Sequence, residues 1–226
     1  MKIRLVETRS KSHNVYDHSR LPRLGLPQIG AILARQGHDV KIYVESLAPV
    51  DFADLQTADL VGFSTTTGTT PPAYDLADRL RAQGVPVVFG GAHVTFLPAE
   101  ALQHADYVVR GEGHTAIVEL VDALEGRGEL SEVAGLSYHG PGGAVHNPDR
   151  PFCSQDVFAS LPDPDLTLIV GHEEMVTVPI MTQWGCPFNC NFCSVIKMFG
   201  RRVRARNIEG VLAQLEQVPP GKDVFF

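Results

Sequence analysis

Cys186, Cys190 and Cys193, in the stretch QWGCPFNCNFCS, put three of the four cysteines of a 226-residue chain into one short loop, spaced by three residues and then by two. Thiolates so crowded point to metal or cluster ligation, because a secreted disulfide framework distributes its cysteines along the chain. Buried structural cysteines rarely share one loop. Structural zinc requires four protein ligands in closed tetrahedral coordination, so Cys153 or His172 would have to complete the set. A four-iron cluster held by three thiolates instead leaves one iron open, and that iron can bind a further ligand.

The elements that must position this loop follow from composition and periodicity. With 44% hydrophobic residues the chain can bury a sizeable core as one or two domains. A net charge of −7 argues against nucleic acid or an anionic membrane as the main partner and favours a small-molecule substrate. The start, MKIRLVETRSKSH, has no apolar signal region, and no run reaches the roughly 18 apolar residues that span a bilayer. No membrane segment and a soluble, cytoplasmic protein are therefore expected.

Strands are predicted at Lys2 to Glu7, Asp39 to Val44, Leu60 to Ser64, Val87 to Gly90 and Tyr107 to Arg110, alternating with helical patterns. Ala73, Leu76, Ala77 and Leu80 share one helix face, as do Ile117, Leu120, Val121 and Leu124. Pro71 and Pro72 suit a helix start, and the glycines of RQGHDV and RAQGVPV suit helix ends. The class is α/β, with a parallel sheet covered on both faces. GLSYHGPGGAVHNP, Gly135 to Pro148, reads as a hairpin that closes this first domain over residues 1–148. Residues 149–173, rich in proline and aspartate, read as an irregular linker.

A second unit spans 174–226. It holds a strand in MVTVPIMTQ, the cysteine loop, the basic stretch RRVRAR, a helix with Ile208, Val211, Leu212 and Leu215 on one face and Asn207 as its cap, and a strand in KDVFF. The basic stretch, with Arg201, Arg202, Arg204 and Arg206, is expected to be a solvated loop, the alternative being a site for a phosphate or carboxylate of a substrate. A unit of this size is far short of a full β/α barrel, so the chain is expected to be the N-terminal portion of a longer protein, without turnover alone.

In an open α/β sheet, ligands bind outside the carboxyl ends of the strands. The loops there are STTTGTTPP, GGAHVTFLP and GEGH. Their candidate ligand residues are Ser64, Thr65, Thr66, Gly90, Gly91, His93, Gly111, Glu112 and Gly113, since glycines admit close backbone approach and hydroxyls bond polar groups. The same residue types also end strands and cap helices.

The cysteine spacing directly after a strand, with Phe192 before the third cysteine, resembles the cluster motif of the radical SAM enzymes. The resemblance implies that Cys186, Cys190 and Cys193 hold a [4Fe–4S] cluster. Its open iron would chelate S-adenosyl-L-methionine and reduce it to a 5′-deoxyadenosyl radical, with Phe192 at the adenine. The stretch FGGAHVTFLPAEALQHADYVVRGEG, with LGLPQIGAILARQGHDV before it, resembles the cobalamin-binding-domain subfamily of those enzymes. It implies a flavodoxin-like, doubly wound Rossmann sheet of order 2-1-3-4-5, with the nine loop residues at a cobalamin, followed by the start of a radical SAM β/α barrel. Two features depart from the pattern. His114 stands where glutamate is common, and no Asp-x-His-x-x-Gly occurs. No histidine is thereby assigned below cobalt; His93 is the candidate substitute, although a lone histidine at a strand end more often caps or packs.

The resemblance implies a cobalamin-dependent radical SAM enzyme, a methyltransferase acting on an unactivated carbon. The substrate would be a small molecule or natural product, and the electron donor a protein such as flavodoxin or ferredoxin. The alternatives are a radical SAM cyclase or rearrangement enzyme, a tRNA methylthiotransferase, which would carry further cysteines before Cys153, and a cobalamin-binding module without catalysis. Glu45, Asp106 and Glu112 carry no acid–base assignment, and the catalytic residues are unknown from sequence.

Overall fold

The computed structural model describes residues 1–11 and 21–226, so the end of the N-terminal stretch quoted above lies outside the described residues. The first part of the chain alternates strand and helix: β1 (Lys2–Glu7), α1 (Gly25–Arg35), β2 (Asp39–Val44), α2 (Phe52–Gln56), β3 (Leu60–Ser64), α3 (Thr70–Arg81), β4 (Val87–Gly90), α4 (Ala92–Phe96), α5 (Pro98–Ala101), β5 (Tyr107–Val109) and α6 (Gly113–Leu124). A hairpin follows, β6 (Leu136–Gly140) and β7 (Gly143–His146). One sheet takes all seven strands in the order β2-β1-β3-β4-β5-β6-β7. Its first five strands run parallel, in the expected order 2-1-3-4-5, and β6 and β7 join antiparallel.

The central strands are apolar on both faces, as a sheet covered by helices on each side requires. On one face Val61, Phe63, Val87 and Phe89 meet Ala73, Ala77 and Leu80 of α3. On the other, Leu60, Val88 and Val109 meet Leu33 of α1 and Ile117, Leu120 and Val121 of α6. The glycines expected to end helices do so: Gly37 and Gly84 have φ of 87° and 79°, where a side chain is disfavoured.

The hairpin extends the sheet, pairing Tyr107 with Tyr138. The segment read as an irregular linker carries α7 (Gln155–Ser160), whose first turn is capped by the Ser154 hydroxyl accepting from Val157 N at 3.2 Å. It then reaches the opposite edge of the sheet, where Val170 N donates to Ile42 O at 2.9 Å and Ile169 is buried in the core.

Beyond it lie β8 (Thr177–Pro179), β9 (Gln183–Trp184), α8 (Val195–Phe199), β10 (Arg204–Ala205), α9 (Ile208–Glu216) and β11 (Asp223–Phe225). The stretch expected as one strand is two, because Pro179 ends β8 and has no N–H to extend a ladder. β8 pairs with β11 in parallel and β9 with β10 antiparallel. Asn207 caps α9, accepting from Gly210 N at 2.9 Å, and the apolar stripe of that helix stays open, with Ile208 72% exposed. Among the described residues no helix is long and apolar enough to cross a membrane.

Candidate functional site

The carboxyl ends of β3, β4 and β5 open into a cavity of about 620 Å³, a size typical of small-molecule and cofactor sites. Ser64, Thr65, Thr66, Gly90, Gly91, Gly111, Glu112 and Gly113 all line it. The opposite wall is built from Met181, Thr182, Gln183 and Trp184 before the cysteine loop and from Ser194, Val195, Met198 and Phe199 after it. The cavity therefore lies between the loops expected to hold a cofactor and the two flanks of the cysteine motif.

Local backbone chemistry shapes the sheet side. Gly91 has φ of 97°, and a Cβ there would stand 2.6 Å from Thr65 O, so the second turn closes directly onto the first. Gly111, at φ of 71°, has no atom within 4 Å of its missing Cβ, and its N–H donates to Thr95 Oγ1 at 3.0 Å. Thr65 is 1% exposed and its Oγ1 has no hydrogen-bond partner. Such an orphaned hydroxyl costs stability in the absence of a ligand. Arg23 reaches across from the start of α1, donating to Ser64 O at 2.9 Å and pairing with Glu7 at 3.2 Å. Burial pushes the Glu7 carboxyl up, against the pull of Arg23.

His93 lies outside the cavity wall. Its Nδ1 is 3.2 Å from Thr67 Oγ1 and its Nε2 3.1 Å from Glu100 Oε1, so both ring nitrogens are engaged by protein. Glu112 lines the cavity, but its carboxylate is turned to Arg204, 2.6 Å away, and accepts from Cys153 N at 2.8 Å. The basic stretch is thus not a uniformly solvated loop: Arg201 and Arg202 are exposed, while Arg204 is 1% exposed and Arg206 donates to Leu161 O and Pro162 O at 2.6 and 2.9 Å. The antiparallel pairing of Arg204 with Trp184 is what turns that guanidinium inward.

Glu112, His114 and Cys153 form the one group of three among the described residues whose ligating atoms all lie within 4.8 Å of one another. Arg204 already supplies the cation there, with Nη1 donating to Cys153 Sγ at 2.9 Å. Burial, with the Glu112 charge adding to it, pushes the Cys153 thiol up to about 11, so it stays protonated and is a poor metal ligand. Burial likewise lowers the His114 pKa, keeping its ring neutral beside Trp184, 5.6 Å away. His172, the other candidate fourth zinc ligand, bonds Ile169 O at 3.2 Å.

The three motif cysteines are free thiols on the loop between β9 and α8, with Cys190 exposed and Cys186 and Cys193 half-buried. The loop is braced by Cys186 N donating to Gly200 O and Cys193 N donating to Cys190 O, each at 3.2 Å. Gly185, at φ of 86°, passes so close to Arg202 O that a side chain would collide. The three sulfurs do not form a compact single-ion group. A cluster makes a different demand, since each thiolate takes its own iron. Phe192 stands beside Cys193 and is 89% exposed. Sequence reasoning missed Arg204 and Trp184; the signals were the alternation of arginines at 202, 204 and 206 and the placing of the lone tryptophan just before the loop.

Residues 17–121 match the family model described as B12 binding domain. An uncharacterized methyltransferase of Pyrococcus horikoshii is 38% identical over 86% of this chain and 45% of its own length. The bacteriochlorophyllide d C-12(1)-methyltransferase of Chlorobaculum tepidum is 30% identical over 82% of this chain and 38% of its own. The chain thus spans less than half the length of these two relatives. Among solved structures, the cobalamin-dependent S-adenosylmethionine radical enzyme OxsB, with aqua-cobalamin and S-adenosylmethionine bound, matches with a TM-score of 0.75 at 20% identity, over 97% of this chain and 32% of that one.

Proposed function

We propose that this chain, which matches the B12 binding domain over residues 17–121, is the cofactor-binding portion of a cobalamin-dependent radical SAM enzyme whose reaction is methylation of an unactivated carbon. In this reading residues 1–148 hold the corrinoid, 149–173 link, and 174–226 open a β/α barrel. The observation that carries it is a cavity whose one wall is the cofactor loops and whose other wall is the flanks of the cysteine motif.

The residues present fit the two groups. Gly111 leaves room for close backbone approach, and the unpartnered Thr65 hydroxyl offers a hydrogen bond to an amide arriving at the sheet edge. Leu26, Ile29, Met181 and Phe199 give an apolar lining that would cover a flat ring and keep water out. Cys186, Cys190 and Cys193 would hold the cluster, and the exposed Phe192 ring is free to stack on an adenine. When bound, the cluster with S-adenosylmethionine supplies a carbon-centred oxidant and the corrinoid a transferable methyl group. The protein's part is to orient these groups and exclude solvent. His93 is not assigned to the corrinoid, since it lies outside the cavity wall and both its ring nitrogens are engaged by protein. A cysteine-poor first domain, with Cys153 the earliest cysteine in the chain, disfavours the methylthiotransferase alternative.

The test is electron paramagnetic resonance of the anaerobically reconstituted, dithionite-reduced protein with and without S-adenosylmethionine. A cluster signal that shifts on addition supports an open iron at this loop. A signal absent after reconstitution, or unmoved by the addition, overturns the radical SAM reading.

A further inference from the structure

Arg204 is bonded to four separate segments at once. Its guanidinium pairs with Glu112, in the loop after β5, at 2.6 Å, and both side chains are 2% exposed. Nη1 donates to Cys153 O at 3.1 Å, and Nη2 donates to Phe199 O, at the end of α8, at 2.6 Å. Its guanidinium carbon lies 5.7 Å from the centre of the Trp184 ring, on the strand with which β10 pairs. Trp184 and Phe199 are the two flanks of the cysteine loop, and both line the cavity. Glu112 is therefore the point where the cofactor loops grip the far wall, and Arg204 is the hand that holds both ends of the cysteine loop to it.

We propose that Arg204 is a positioning residue: its pair with Glu112 sets the distance between the cysteine loop and the ligand held at the sheet edge. The proposal rests on the reading of the cavity as the corrinoid site, but the latch itself is a property of the protein without ligand. A buried arginine is suited to this because its several fixed donors reach two carbonyls while its charge pairs with a carboxylate, which an ammonium cannot match. A buried ion pair adds little net stability over an apolar pair but fixes one arrangement, and losing one partner leaves the other uncompensated.

The test uses Arg204→Met, Arg204→Lys and Glu112→Gln, each checked for native far-ultraviolet circular dichroism. Two readouts apply to the protein without ligand: acrylamide quenching of Trp184, the lone tryptophan, and the rate of iodoacetamide alkylation at Cys186. Both are expected to rise about three- to tenfold in Arg204→Met and Glu112→Gln, with Arg204→Lys recovering part of the protection because it keeps the charge. With hydroxocobalamin added, Arg204→Lys is expected to show weaker quenching of Trp184 at saturation, while the half-saturating concentration changes less than about threefold. If Arg204→Met does not fold, Arg204→Lys and Glu112→Gln decide the matter alone. Alkylation and quenching within error of the parent protein in both folded variants overturn the latch. Failure of the parent protein to bind hydroxocobalamin overturns the corrinoid reading instead, and leaves the alkylation result to judge the latch.

Discussion

A Cβ on Gly91 would stand 2.6 Å from the Thr65 carbonyl oxygen and 2.8 Å from the Thr65 amide nitrogen, so the turn after β4 seats on the turn after β3 only because position 91 has no side chain. Two of the three loops that edge the cavity are thereby packed backbone against backbone. Gly91→Ala must both collide and adopt φ of 97°, and it is expected to cost about 2 kcal/mol and several degrees of thermal midpoint. Gly111→Ala meets no neighbouring atom within 4 Å and is expected to cost about 1 kcal/mol, from the left-handed backbone alone. Thermal melts of the two variants give the ranking directly.

Thr65→Val separates stability from binding. The buried hydroxyl has no partner, so its replacement by an isosteric methyl is expected to leave the ligand-free protein unchanged or about 1 kcal/mol more stable in urea. Corrinoid affinity is expected to fall about fivefold with the lost hydrogen bond. A variant that is destabilised and binds normally would show that the hydroxyl serves the fold.

Iron content distinguishes the cysteines. After anaerobic reconstitution, Cys186→Ala, Cys190→Ala and Cys193→Ala are each expected to lose most of the iron and the brown chromophore. Cys153→Ala is expected to retain both, because its thiol, pushed up to about 11 by burial and by Glu112, is protonated and bonded to Arg204. Iron analysis with visible absorption reads all four.

At the far end of the sheet, Asp54 accepts from Arg4 Nε at 2.6 Å and from the Tyr43 hydroxyl at 2.9 Å, and pairs with Lys2 at 2.8 Å. Burial pushes its carboxyl up, but these partners outweigh it and hold the pKa well below the usual carboxylate range. A folded pKa below the unfolded one means that the stabilisation is complete above about pH 4 and is lost as pH falls through the folded value. Asp54→Asn is expected to cost about 3 kcal/mol at pH 7, where it leaves the buried Arg4 with only the exposed Asp39 as a charged partner. The gap to the parent protein should close as pH drops below 4. Urea midpoints across that range check both statements.

The strands β1 to β4 were legible residue for residue, and β3 and β4 most plainly, because each of those two is an apolar run bounded by turn residues and buried on both faces of the sheet. The hairpin was legible as two strands, but its addition to the edge at β5 was not, since antiparallel pairing of Tyr107 with Tyr138 leaves no mark in local periodicity. The break of Met175 to Gln183 into β8 and β9 was signalled by Pro179 and overridden by the apolar run around it. In the site, the loops were found by their glycines and hydroxyls at strand ends, and the cysteine loop by its spacing directly after a strand, with Phe192 before the third cysteine. Arg204 was not found, because a basic run reads as solvated until its buried carboxylate partner, Glu112, is placed beside it by the fold.

The most direct test of the corrinoid site is the visible spectrum of the anaerobically purified protein after incubation with hydroxocobalamin and desalting, before any iron is added. Corrinoid bands that remain with the protein in near-equal molar amount, together with quenched Trp184 emission, are the expected result, since Trp184 lines the cavity. Bands that wash away while Trp184 emission stays unchanged would contradict it, and would leave the sheet edge as a scaffold beside the cysteine loop.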